Sequence, residues 1–367
     1  MGLVESAKRA DRHEVRDKIL ACLYGGALGD ALGYVVEFDS WKSIKKMYGV
    51  DGIRELVATG PKAIVSDDTQ MTLFTAEGLG NGFFREMEKG TGADAAYYIY
   101  EAYLCWYETQ YGKAKSLWDP VSKLKNVPEM NKLRAPGNTC LSALGSGEMG
   151  TIDKPINNSK GCGGVMRTAP CGFLRLKESG EPAFGDSALE LGAKAAAITH
   201  GHSMGWIPAG MLADIVDRCL YGNYGSLREI VEDSLAATEE KYGRFRSFGA
   251  FREMICKAIR LAEENKVKKL SDAASDEAAV RSIGEGWVGD EALAVAVYAA
   301  LRWDGDMKQC LRAAVNHSGD SDSTGAIAGN ILGAYLGLPA VPEDWLAKLE
   351  LTDAMVEIAD MMGKVIE

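Results

Sequence analysis

His317-Ser318-Gly319-Asp320-Ser321-Asp322-Ser323-Thr324 runs straight into Gly325-Ala326-Ile327-Ala328-Gly329-Asn330-Ile331-Leu332-Gly333. Two carboxylates one residue apart, set among hydroxyls, precede what reads as a tight Gly/Ala-rich helix. Far upstream, Ser66-Asp67-Asp68-Thr69-Gln70-Met71-Thr72 has the same character and again leads into an apolar helical pattern. Asp and Ser are natural helix N-caps, and either cluster alone reads as one. Two such clusters, each with more acid than a cap needs, read differently together. Hard divalent cations prefer oxygen ligands, and Mg²⁺ sites use few carboxylates and keep several waters. If the clusters meet in space, four carboxylates (Asp67, Asp68, Asp320, Asp322) converge with several hydroxyls. Like carboxylates that close do not all stay ionised unaided. The two stretches together predict a binuclear Mg²⁺ or Mn²⁺ site.

The bulk composition bounds what surrounds such a site. Of 367 residues, 47% are hydrophobic and 25% charged, ordinary values for a globular protein with a sizeable core. A net charge of −11 argues against general nucleic-acid binding, which needs basic patches. The cysteines Cys22, Cys105, Cys140, Cys162, Cys171, Cys219, Cys256 and Cys310 form no Cys-x-x-Cys pair, which disfavours structural zinc. The opening residues have no apolar signal core, so free thiols in a reducing cytoplasm are expected. The most apolar run, Ala326 to Val341, is broken by Asn330 and too short to span a bilayer.

Helical periodicity dominates the rest of the chain. Residues 1–15 read as a charged arm or the first turn of a helix. Val15 to Gly33 is a helix dense in glycine (Gly25, Gly26, Gly29, Gly33), which makes sense if another backbone or a ligand comes close. Glu37, just beyond it, serves equally as a satisfied buried acid or as a general acid/base. Trp41 to Ala58 predicts a short helix and a strand-like piece, Ile53-Arg54-Glu55-Leu56-Val57. A helix follows Asp68 as far as Gly80. Ala93 to Tyr111 is an aromatic-rich helix whose stripe reads as core packing. Residues 112–135 read as loop or weak helix, and a short helix then runs to Gly147. Ala188 to Thr199 and the segments 208–220, 226–240, 251–264, 272–281, 290–303, 306–316, 343–349 and 353–366 are helical too. No repeat and no Pro/Ser/Gly-rich linker divides the chain, so residues 16–367 are expected to form one compact, all-α domain.

Three further motifs bear on chemistry. Ser159-Lys160-Gly161-Cys162-Gly163-Gly164-Val165-Met166-Arg167 is a Gly-rich loop able to turn backbone N–H groups toward a phosphate. It lacks the Gly-x-x-x-x-Gly-Lys-Ser/Thr of a P-loop. Cys162 reads there as a small buried residue rather than a nucleophile. Gly201-His202-Ser203-Met204-Gly205 matches a nucleophile elbow in letters, but a helix, not a strand, precedes it. With only His13, His200, His202 and His317 in the chain, a His-based zinc enzyme is disfavoured.

Five blocks in order resemble the ADP-ribosylglycohydrolase family, which includes the dinitrogenase reductase-activating glycohydrolases. They are Gly26-Ala27-Leu28-Gly29-Asp30-Ala31-Leu32-Gly33 with Glu37; Ser66 to Thr72; Gly161 to Pro170; Thr199-His200; and Asp320 to Ser323. The resemblance spans about Ile19 to Leu338. It implies an all-α fold with a binuclear Mg²⁺ or Mn²⁺ centre ligated by Ser66, Asp67, Asp68, Asp320, Asp322 and Ser323. It implies substrate contacts from Ser159, Lys160, Gly161, Cys162, Gly163, Gly164, Met166 and His200, with the loop holding a pyrophosphate. Relatives often carry Thr at the positions of Ser66 and Ser323, and some carry Asn at that of Cys162. Glu37, Asp67 and Asp320 are the implied catalytic carboxylates. The implied reaction is removal of ADP-ribose from a modified protein side chain, with arginine as the favoured linkage and serine as the alternative. Metals there fix ribose hydroxyls and polarise a water, and a carboxylate activates it or protonates the leaving group. Two competing readings are a two-metal phosphohydrolase and a non-catalytic ADP-ribose-binding protein. The expected partner is an ADP-ribosylated protein, with no nucleic acid and no membrane, and a monomer is favoured.

Overall fold

The computed structural model describes residues 12–90, 92, 94–114, 121–175, 182–267 and 273–366. Among them the regular structure is helical: α1 (Arg12–Gly33), α2 (Trp41–Tyr48), α3 (Asp67–Lys89), α4 (Ala95–Tyr111), α5 (Asn138–Ser146), α6 (Ala188–Ala197), α7 (Ser203–Tyr221), α8 (Leu227–Tyr242), α9 (Phe248–Val267), α10 (Ala273–Ile283), α11 (Gly289–Arg302), α12 (Met307–Val315), α13 (Ser321–Leu336), α14 (Glu343–Leu346) and α15 (Thr352–Val365). The described residues contain isolated β-bridges but no strand. None of the described helices is long and apolar enough to cross a membrane.

Helix α13 is the central strut, buried from Ser321 to Ala334 and packed against α1, α7, α11 and α12. Its partnership with α1 explains the glycines of both. A Cβ built on Gly25, Gly29 or Gly33 would lie 2.2, 2.0 and 2.2 Å from the carbonyl oxygens of Gly329, Gly325 and Ser321. Built on Gly333, it would lie 2.2 Å from the Ala21 oxygen. The pairing runs antiparallel, backbone against backbone. Only hydrogen fits between the two helices, so the glycine stripe fixes their distance and register. The end of α1 is thereby brought beside the start of α13.

Asp30, fully buried on the last turns of α1, gathers the other acidic cluster. Its carboxylate accepts the Ser66 N–H at 2.9 and 3.1 Å and the Thr69 N–H at 3.1 Å. The Thr69 hydroxyl donates to it at 2.5 Å. These are N–H groups that the first turn of α3 leaves unpaired. One helix end therefore holds the N-termini of α3 and α13 together.

Two expectations from the sequence are corrected. Ile53 to Val57 is not a strand: the Asn316 side-chain amide takes the Ile53 N–H and donates back to the Ile53 carbonyl, both at 2.8 Å, replacing a partner strand. Helix α3 does not stop at Gly80. A Cβ there would meet Met361 Cε at 2.5 Å, so that glycine serves packing against α15, and the helix ends at Gly90 with φ +55°. The loop 112–135 holds two short 3₁₀ turns, Leu124–Asn126 and Pro128–Asn131. The aromatic residues of α4 do pack inward, with Tyr98, Tyr100, Tyr103 and Trp106 buried. Most of the 1–15 arm lies outside the described residues, and its last residues already belong to α1.

Candidate active site

A cavity of about 350 Å³ opens where the N-termini of α3 and α13 converge. Asp67, Asp68, Asp320, Asp322 and Ser323 border it together with Glu37, Cys162, Gly163 and His200. The two clusters that lie some 250 residues apart in the chain thus form one site. Ser66 and Asp320 are the N-caps of α3 and α13, accepting from Asp68 N and Ser323 N. The same residues thus cap the two helices and bring their acids to one cavity. Partial positive charge at two helix starts also makes this corner tolerant of anions.

Glu37 comes nearer to this cluster than its distance along the chain suggests. One carboxylate oxygen each of Glu37, Asp320 and Asp322 lies within 4.8 Å of the others, a spacing that would let them share a metal ion. Burial, then the charges of Asp320 and Asp67, pushes the Glu37 carboxyl up to about 8. Burial dominates for Asp67 as well, pushed up to about 7, and for Asp30, pushed up to about 6. Burial and neighbouring carboxylates raise Asp68 and Asp322 well above the usual range. Asp68 Oδ2 is buried with no hydrogen-bond partner. An unpartnered buried carboxylate oxygen among crowded acids is unfavourable alone and well suited to a hard cation. The donor set therefore fits Mg²⁺ or Mn²⁺ better than a soft metal.

The Gly-rich loop forms the opposite wall. It does not present the run of free N–H groups expected of it. Gly161 N donates to Ser159 Oγ, Cys162 N to the Trp287 carbonyl at 3.1 Å, and Gly164 N to the Gly161 carbonyl, because the loop winds into a 3₁₀ turn at Cys162–Gly164. Ser66, Ser159, Lys160 and Gly164 do not line the cavity, whereas Gly161, Cys162, Gly163 and Met166 do. Ser66 is fully buried, and Ser159 pairs with Thr139 Oγ1 at 3.1 Å. Cys162 Sγ donates to Asp320 Oδ2 at 2.6 Å, so the thiol is a hydrogen-bond partner of an acid rather than a poised nucleophile. Burial and the Asp320 charge hold it protonated.

His200 lies beneath the loop: a Cβ on Gly161 would stand 3.4 Å from its Nε2, and one on Gly163 would crowd its Cε1 at 3.3 Å. Fully buried Arg167 donates to Thr199 Oγ1 at 2.5 Å, and Thr199 Oγ1 lies 2.8 Å from His200 Nδ1. A hydroxyl that already accepts from arginine has its own proton to give, which leaves Nδ1 as acceptor and Nε2–H as donor. Burial and then Arg167 push this imidazole down to about 3, so it is neutral near pH 7. His202 instead caps α7 by accepting from Met204 N, and Ser203 Oγ pairs with Ser247 Oγ at 2.7 Å, away from any elbow. Asp30, Arg167 and Thr199 were quoted within motifs without a role of their own. Asp30's signal was there to read: a lone carboxylate in a glycine-rich apolar helix.

The ADP-ribosylglycohydrolase family model matches residues 11–367. The chain is 27% identical over 343 residues to the ADP-ribosyl-[dinitrogen reductase] glycohydrolase of Rhodospirillum rubrum, covering 92% of each chain. It is 24% identical over 370 residues to the ADP-ribosylhydrolase ARH3 of Mus musculus, covering 94% of this chain and 91% of that one. A solved structure described as an ADP-ribosylglycohydrolase-related protein complex superposes with a TM-score of 0.62 at 24% identity, covering 97% of this chain and all of the other. From its helical architecture and its match along nearly the whole length, the chain belongs to the ADP-ribosylglycohydrolase family.

Proposed function

We propose that this protein hydrolyses the N-glycosidic bond between ADP-ribose and an arginine side chain of a modified protein. The observation that carries this is the convergence of Glu37, Asp67, Asp68, Asp320 and Asp322 on one cavity walled by the Gly-rich loop. Asp67, Asp68, Asp320, Asp322 and Ser323, with Ser66 behind them, are assigned to two Mg²⁺ or Mn²⁺ ions. When bound, such ions fix vicinal ribose hydroxyls and lower the pKa of a water. Gly161, Cys162, Gly163 and Met166 orient the diphosphate, His200 donates to it through Nε2–H, and Ser159 and Lys160 support the loop. A guanidine is a strong base and needs a proton as it departs. Glu37 supplies that proton, Asp67 takes one from the attacking water, and Asp320 stabilises the oxocarbenium-like charge at the anomeric carbon. A reducing cytoplasm suits eight cysteines of which none is in a disulfide.

The test is release of ADP-ribose from an arginine-ADP-ribosylated protein in Mg²⁺ or Mn²⁺, for the wild type, Asp68→Ala and Asp320→Ala, with folding checked by circular dichroism. Release that both changes abolish supports one shared centre. Release from a serine-linked peptide alone moves the substrate. Appearance of AMP from free ADP-ribose replaces the reading with a phosphohydrolase.

A further inference from the structure

Phe38 is an anomaly that core packing does not explain. Its side chain is 72% exposed, and its φ of +67° lies in the left-handed region, which an aromatic residue adopts only with strain. The Asp39 N–H donates to the Val36 carbonyl at 3.0 Å, closing a turn with Glu37 and Phe38 at its centre. The second central position with positive φ is normally given to glycine or asparagine. Here that turn aims Glu37 at Asp320 and Asp322 while setting the Phe38 ring at the cavity mouth. The ring stacks on Trp287, with centroids 5.3 Å apart and planes 22° apart. Trp287 is itself held firmly. Its carbonyl accepts Cys162 N, Gly286 before it has φ +82°, and Glu291 Oε2 accepts the N–H groups of Glu285 and Gly286.

Resting on the hydrolase reading above, we infer that Phe38 and Trp287 form an aromatic rim that receives the guanidinium of the leaving side chain and so selects arginine-linked substrates. The scissile bond must lie within reach of Glu37, and Phe38 is its neighbour in the chain. Adenine is separated from the anomeric carbon by two riboses and a diphosphate, so the group nearest this rim is the one being released. The rim also faces solvent, the side from which a protein-borne side chain must enter. A guanidinium is flat and cationic and binds well on aromatic faces. A serine glycoside offers neither plane nor charge.

The experiment uses full-length protein with Mn²⁺ and the variants Phe38→Ala, Phe38→Tyr and Trp287→Phe. We expect Phe38→Ala to lose about three- to tenfold in kcat/KM on an arginine-linked substrate, mainly through KM, as removal of a cation–π contact predicts. Phe38→Tyr keeps wild-type values. The calorimetric Kd for free ADP-ribose stays near the wild-type value in Phe38→Ala, and any turnover of a serine-linked peptide falls less than that of the arginine-linked substrate. Agmatine, which carries a guanidinium and an ammonium but no ADP-ribose, shifts the Trp287 indole ¹⁵N resonance, identified by its absence in Trp287→Phe, and shifts it less in Phe38→Ala, whereas butylamine, which lacks the guanidinium, leaves it in place. An equal loss of ADP-ribose affinity would overturn the inference by placing adenine on the rim, and unchanged kinetics would show the rim inert. If agmatine moves Trp287 but the wild type cleaves no arginine-linked substrate, the rim stands and the hydrolase reading falls. If agmatine leaves Trp287 unmoved, the rim falls whatever the activity.

Discussion

Replacing Gly29 by alanine tests whether the glycine contact between α1 and α13 sets the geometry of the site. The added Cβ would sit 2.0 Å from the Gly325 oxygen, 2.3 Å from its carbonyl carbon and 3.0 Å from Ala326 N. A carbon and a carbonyl oxygen rest at about 3.3 Å or more, so the helices must part by about 1 Å. The obstructing atoms are backbone inside a helix and cannot swing away. Parting opens gaps along the flanking contacts of Gly25, Gly33, Gly329 and Gly333. Overpacking of this kind costs about 1–3 kcal/mol and sometimes more, and the helix preference for alanine returns up to about 1 kcal/mol. We expect Gly29→Ala to be net destabilising by about 1–2 kcal/mol, read as a lower guanidinium midpoint at unchanged slope. Mn²⁺ affinity should fall with it, because α1, through Asp30, positions the start of α3 that carries Asp67 and Asp68, while Asp320 and Asp322 belong to the start of α13. The control is Gly249→Ala in the exposed first turn of α9, where a Cβ meets nothing within 4 Å. There the same substitution should raise stability by up to about 0.5 kcal/mol. A Gly29→Ala protein as stable as wild type would refute the reasoning.

Three more outcomes follow from the site. Carboxylates raised in the folded state stabilise it below their unfolded pKa and lose that contribution as pH rises through the folded value. For Asp67 and Glu37 the window runs from about 4 to 7 and from about 4.5 to 8. His200 works the other way, giving stability above about 6.5 that is lost toward 3. Metal-free protein should therefore lose stability between pH 6.5 and 8, by about 1.4 kcal/mol per pH unit for each proton released on unfolding less those taken up, and Mn²⁺ should flatten the slope; a metal-free melting temperature that rises over this range contradicts the acid crowding. Asp68→Asn should raise the metal-free melting temperature while weakening Mn²⁺ binding measured by calorimetry, since it removes an acid whose ionisation burial and neighbouring carboxylates oppose and whose Oδ2 has no partner; a drop in both would make Asp68 a structural residue. Thr199→Val should shift the neutral His200 tautomer seen in imidazole ¹⁵N NMR, and should cost about 1–3 kcal/mol by leaving Nη2 of buried Arg167 without its hydroxyl partner; an unchanged tautomer would mean that Thr199 does not set it.

What the sequence disclosed and what it withheld follow from the range of each interaction. The acid clusters were legible because capping is local: Ser66 and Asp320 bond to residues two and three positions on, and the residue types carry that geometry in themselves. The glycines of α1 announced a close approach, although not its partner, because an absent side chain says nothing about what fills its place. Contacts made through one atom of a distant residue were invisible. Asn316 satisfying Ile53 from 263 positions away turned an expected strand into an irregular segment. The loop at Ser159 to Gly164 was read from its glycines as a cradle of free N–H groups, yet Trp287 and the loop's own carbonyls claim several of them. Glu37 shows the limit most clearly. Its setting in the chain fits a bland acid and a reactive one equally, and it is the register of α1 on α13 that sets its carboxyl beside Asp320 and Asp322. That register depends on hydrogen atoms at Gly25, Gly29 and Gly33, so the chemistry proposed for Glu37 depends on residues that carry no chemistry at all.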